Sequence, residues 1–170
     1  MNRTNTIPRG GAGARRLRRA FTLVESLAVI VVLSIAVPPA VSMMTDSAKA
    51  QSDSITLTRA TWFATGILEH VMADASSDDA GLGFAAFADS DAYLNTPDTG
   101  LADRISAMSA HYASLGLTYS VTIGPLCDAT GAVTGDADED VFRQITAGVS
   151  WTSMRGVDRT LNIGCVVTEL

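Results

Sequence analysis

Residues 15–44 read RRLRRAFTLVESLAVIVVLSIAVPPAVSMM, and the rest of the chain can be placed around them. Four arginines, Arg15, Arg16, Arg18 and Arg19, precede the small residue Ala20. An apolar run follows, and from Phe21 to Met44 its one formal charge is Glu25. About 20 apolar residues in a helix cross a hydrocarbon layer of roughly 30 Å. Backbone polar groups at that depth must bond internally, so the segment is expected to be helical. Residues 1–20 carry six arginines and no acid. The positive-inside bias therefore predicts a cytoplasmic N-terminus and an exported C-terminal part.

A cleaved secretory signal has a shorter apolar run, about 7–15 residues, closed by small residues. Here the run is longer, and Thr45-Asp46-Ser47-Ala48-Lys49-Ala50 offers a poor site of that kind. A plain signal anchor leaves Glu25 without a reason. A carboxylate inside a span costs about 2.5–3.5 kcal/mol at the centre, less near an end, and points to a function.

Arg18-Arg19-Ala20-Phe21-Thr22-Leu23-Val24-Glu25 resembles the processing motif of type IV prepilins and type II secretion pseudopilins. The resemblance implies a cut between Ala20 and Phe21 by prepilin peptidase and N-methylation of the new Phe21 amine. It implies that Glu25 pairs with the N-terminal amine of a neighbouring subunit during assembly. A buried charge does need an opposite charge, and a freed Phe21 amine would supply one at similar depth. Its partners would be the peptidase and methyltransferase, other pilin or pseudopilin subunits, and the inner membrane. The resemblance suggests a minor pilin or minor pseudopilin. Two positions depart from the family pattern. Ala20 stands where the family usually has Gly, and Pro38-Pro39 lies earlier than the usual proline. The prolines deprive the carbonyls of Ser34 and Ile35 of helix hydrogen bonds, which predicts a kink or local melting.

The net charge of −6 hides an asymmetry: six basic side chains lie in the leader, and six remain against 18 acids in residues 21–170. An acidic exported part argues against nucleic-acid binding, which needs clustered Lys and Arg. Gly10-Gly11-Ala12-Gly13 follows no predicted strand and does not qualify as a phosphate loop. Asp46 to Ala73 contains no proline and one glycine, Gly66. Ile55, Trp62, Phe63, Ile67, Val71 and Met72 recur at helical spacing and predict an amphipathic stripe, with Trp62 and Phe63 both in the core. One helix from Phe21 to about Ala73 would extend roughly 80 Å.

Residues 74–116 are read as a connecting loop and a short helix. Gly83-Phe84-Ala85-Ala86-Phe87 is expected to dock on the head, and Asn95-Thr96-Pro97-Asp98-Thr99-Gly100 to turn. The helix carries Leu101, Ile105, Met108, Tyr112 and Leu115 on one face and stops at Gly116. His111 beside that face is read as structural. Residues 117–170 are read as strands. Leu117, Tyr119, Val121 and Ile123 alternate with polar residues, as do Ile145 to Trp151 and Leu161 to Val167. The fold class is therefore α+β: a long N-terminal helix, residues 21–44 in the membrane and 45–73 amphipathic, packed on a three-stranded antiparallel sheet behind a 1–20 leader.

Three site questions stay open. Cys127 and Cys165 fall on the predicted exported side, where a bridge could persist, but Cys165 alternates with core residues and suits a buried thiol equally. Asp136, Asp138 and Asp140 alternate in a loop and could converge on calcium, or form a solvated acidic hairpin. Val141 stands where an EF-hand would want Gly. No catalytic motif occurs, so a structural role is expected rather than an enzyme. The rival reading is an inner-membrane-anchored binding module, calcium-dependent or not, that does not polymerise.

Overall fold

A computed structural model describes residues 22–168. The leader, Ala20 and Phe21 lie outside the described residues. The chain is α+β, one long helix and a small sheet. Helix α1 spans Leu23–Ala75. The chain divides into two units at Met44/Thr45.

In the first unit, the helical residues 23–44 leave their apolar side chains uncovered. None of the most apolar 18-residue stretch is buried, so this is one candidate membrane-spanning helix near the N-terminus. The helix does not melt at Pro38 and Pro39, both of which lie inside it. Two missing N–H donors remove two bonds, and the flanking turns still hold. Ser34 Oγ also donates to the Ile30 carbonyl at 2.7 Å, so its hydroxyl needs no solvent.

The second unit is the head. Its core is one cluster built from residues 60–75 of α1, the connecting helices and the sheet. The buried face of α1 carries Ala60, Phe63, Ala64, Ile67, Leu68, Val71 and Asp74. This corrects the predicted stripe. Trp62 is 70% exposed, Ile55 49% and Met72 43%. At 3.6 residues per turn, positions 55, 62 and 69 share one side, and 60, 63, 67, 71 and 74 share the other. Two stripes had been merged into one.

The sheet comprises β1 (Leu117–Cys127), β2 (Phe142–Thr152) and β3 (Asp158–Thr168), in the order β1-β2-β3. Both pairings are antiparallel. Leu117 faces Trp151 and Val149 faces Leu161, so the alternating apolar positions of all three strands fall on one side. That side packs on α1. Phe63 stacks on Tyr112 with ring centroids 4.3 Å apart and meets the Tyr119 ring edge-on at 5.6 Å. The strands extend past the alternating runs because the β1 register slips between Ile123 and Leu126, at Gly124-Pro125, and then resumes.

The connecting region holds more helix than expected. A 3₁₀ helix, Phe84–Ala88, sets Phe87 fully in the core, as its apolar run predicts. Helix α2 (Ser90–Asn95) was not foreseen; Asp89 caps it by accepting from the Ala92 amide at 3.0 Å. The expected single helix from Leu101 is two, α3 (Leu101–Arg104) and α4 (Ser106–Ala113), broken at Ile105. Leu101 and Ile105 are buried, but Leu115 lies beyond α4 and is exposed. Gly116 then turns the chain into β1 with a φ of 79°, a left-handed value that glycine tolerates. Gly66 is explained by α4: a Cβ there would lie 3.2 Å from the sulfur of Met108.

Candidate functional site

The sequence singles out the start of α1. Thr22 is the residue before the helix, and its Oγ1 accepts from the Glu25 amide at 3.2 Å. Thr22-Leu23-Val24-Glu25 is thus a Thr-x-x-Glu capping arrangement, with an acid in the first turn. A negative charge there is favoured by the helix dipole. Sequence reasoning saw Glu25 only as a charge in an apolar span and missed this local reason for it. The Glu25 residue is exposed, so its carboxylate is open to an outside cation.

The two cysteines are both free, Cys127 buried and Cys165 half-buried. Of the two readings left open, bridge or buried thiol, the strand order fits the second. Cys127 stands opposite Phe142 and Cys165 opposite Ile145, on strands that flank β2. Strands two apart are about 10 Å apart, and a disulfide needs Cα atoms within about 7 Å. Cys127 Sγ instead donates to the Phe142 carbonyl at 3.4 Å. Burial pushes the Cys165 thiol up.

In the acidic loop the carboxylates do different work. Asp140 is closed off by its own loop. It accepts from the Thr134 amide at 3.1 Å, the Gly135 amide at 2.8 Å and the Thr134 hydroxyl at 3.1 Å. Desolvation pushes its carboxyl up, but these donors outweigh it and hold the group below the usual range. Asp136 Oδ1 accepts from the Asp138 amide at 3.0 Å. Asp128 repeats the pattern: the Thr130 hydroxyl and the Ala132 amide hold its carboxyl low. Among the described residues no three His, Cys, Asp or Glu side chains gather in a way that could hold a metal ion.

Sequence reasoning missed one buried polar cluster. Asp74, on the buried face of α1, takes a two-pronged bond from Arg104, with Nη2 to Oδ2 at 2.7 Å. The Tyr93 hydroxyl donates to the same carboxylate. Burial, then the adjacent Asp74 carboxylate, pushes the Tyr93 phenol far up, so it stays protonated. The bond to Asp74 raises Arg104 in turn. This cluster ties the end of α1 to α2 and α3. The available signal was an acid at position 74 within an otherwise apolar stripe. Tyr93 and Arg104 also border an open cleft of about 600 Å³, walled by Leu82, Ala86, Ala92 and Thr96.

Set beside known protein families, curated proteins and solved structures, the chain matches none.

Proposed function

We propose that the chain is a structural subunit, a minor pilin or minor pseudopilin, of a type IV pilus or type II secretion filament. In this reading prepilin peptidase cuts between Ala20 and Phe21 and the Phe21 amine is methylated. The helix from Phe21 to Met44 then sits in the inner membrane, head outside the cytoplasm, until it joins other subunits in a helical bundle. The observation that carries the reading is the uncovered apolar helix with Glu25 open in its first turn. Such a surface needs lipid or other helices around it, and such a carboxylate needs a cation. The work would be mechanical: helix packing holds the filament, and the Glu25–amine pair sets the register.

The test is mass spectrometry of the N-terminus from a host with an active prepilin peptidase. The expected mature chain starts at methylated Phe21. A chain still starting at Met1 overturns the reading. Glu25→Ala should be processed normally and fail to enter filaments.

The cleft beside Tyr93 and Arg104 favours a second reading, a membrane-anchored extracytoplasmic binding module that does not polymerise. Such a module would be indifferent to Glu25→Ala. Its calcium-dependent form requires calcium to raise the melting temperature of the native chain but not of the Asp136→Asn, Asp138→Asn, Asp140→Asn triple variant.

A further inference from the structure

The connecting region builds a cleft out of small side chains. In the 3₁₀ helix Phe84–Ala88, residues three apart eclipse one another. Phe84 and Phe87 therefore share the side that packs on the core. Ala85 and Ala88 share another side, where both are exposed. Ala92, in the first turn of α2, is exposed as well. These three methyl groups line the open cleft of about 600 Å³ beside Tyr93 and Arg104. Small-molecule sites span about 300–1,000 Å³ and are mostly apolar, with a few polar groups that fix orientation. A wall of alanines leaves room for an apolar body that larger side chains would occupy.

The charge around this cleft is one-sided. Of the residues that line it, Asp89, Asp98 and Arg104 are charged. The Arg104 guanidinium is matched by Asp74, so that pair is neutral. Asp89 and Asp98 are exposed, and neither has a salt bridge among the described residues. Asp89 Oδ1 accepts from the Ala92 amide, while Oδ2 accepts nothing among the described residues. The Asp98 amide donates to Asp103 Oδ2 at 2.7 Å, but the Asp98 carboxylate itself accepts no bond among them. Two carboxylates with open acceptor positions thus border an apolar wall.

We infer that the cleft binds a small organic cation of the alkylammonium class, its stem on Ala85, Ala88 and Ala92 and its ammonium at the Asp89 and Asp98 carboxylates. An anion with the same stem would meet two like charges, which opposes it. Arg104 does not reverse this preference. Recruiting it for an anion would strip the buried Asp74 of its partner, at a heavy cost. A neutral alcohol would gain the apolar contact and nothing from the carboxylates. The inference deepens the membrane-anchored binding-module reading and rests on it.

The test is the alanine-methyl NMR spectrum of the full chain in a non-ionic detergent, titrated with pentylammonium, pentanol and pentanoate. The stem is the same in all three, so differences report the head group. Pentylammonium should shift the Ala85, Ala88 and Ala92 methyls saturably, pentanol should bind more weakly, and pentanoate should give no saturable shift. Asp89→Asn and Asp98→Asn should each weaken pentylammonium by up to about fivefold, the scale of an exposed ion pair, and together by about tenfold or more. Both variants keep the local backbone. Asparagine caps a helix as aspartate does, and it tolerates the φ of 67° at position 98. Ala88→Leu, which fills the cleft, should abolish the shifts at Ala85 and Ala92. Pentanol or pentanoate binding as tightly as the amine, an affinity unchanged in the doubly substituted chain or in Ala88→Leu, or no saturable shift overturns the inference. Filament entry of the wild-type and Glu25→Ala chains tests the binding-module reading separately. A chain indifferent to Glu25→Ala that also ignores pentylammonium sinks the inference and leaves that reading standing.

Discussion

Trp62 and Phe63 are neighbours in sequence and point to opposite sides of α1. Phe63 is fully buried against Tyr112 and Tyr119, whereas the Trp62 indole stands in solvent. One step along a helix turns a side chain by about 100°, enough to cross from core to surface. Of the two aromatics, therefore, only Phe63 contributes to the core of the head.

Phe63→Ala should destabilise the head by about 3–5 kcal/mol, since it empties the centre of the core. Trp62→Ala should change stability by only about 0.5 kcal/mol, in either direction. Thermal unfolding of the full chain in detergent, followed by near-ultraviolet circular dichroism, separates them. Equal losses from both would mean that Trp62 is packed after all.

Removing Arg104 leaves Asp74 buried without its cation. Arg104→Ala should cost about 3 kcal/mol, toward the lower end for a buried pair because Arg104 is partly exposed. Asp74→Asn combined with Arg104→Met should recover much of that loss, because an apolar replacement strands no charge. Denaturant unfolding of the three chains checks the order.

The Asp140 cradle gives the acidic loop a pH dependence of known sign. Its carboxyl is held low in the folded chain, so the stabilisation is present above the unfolded value, near 4, and is lost as pH falls through the folded one. Hydrogen exchange at the Thr134 and Gly135 amides should therefore be slow at neutral pH and lose protection in acid. Asp140→Asn should lose that protection at every pH. Protection that persists in acid would show that the carboxylate does not hold the loop.

With both thiols free, reductant should leave the melting temperature unchanged, and two alkylations should follow denaturation. Native labelling should be slow at Cys165, where burial disfavours the thiolate. A melting temperature that falls on reduction would restore the bridge.

The sheet is legible in the sequence because period-two alternation runs through all three strands. Its register follows from the same alternation, since a slip of one would turn Ile145, Ala147 and Val149 to the wet side. Helix α2 is not legible, because six residues are too few to show a period. The merged stripe on α1 arose because Trp62 and Phe63 are both large and apolar, and hydrophobicity alone does not say which side of a helix packs. Glu25 is legible as a lone acid, but its cap is legible only once Thr22 is read with it. The Asp74, Tyr93 and Arg104 cluster spans separations of 19 and 30 residues, which no local pattern reports.

At the β2–β3 turn, the Met154 amide donates to Asp53 Oδ1 at 2.9 Å, a contact spanning 101 positions of the chain. The helix is made early, yet its partners on the sheet arrive last. Contacts of such long range must await the closing of large loops, which slows their formation. Until β3 has left the ribosome, the connecting helices can cover α1 but the sheet that completes the core is unfinished. A nonsense codon before Asp158 would leave β2 without its β3 partner and the core for good without the side chains that strand brings.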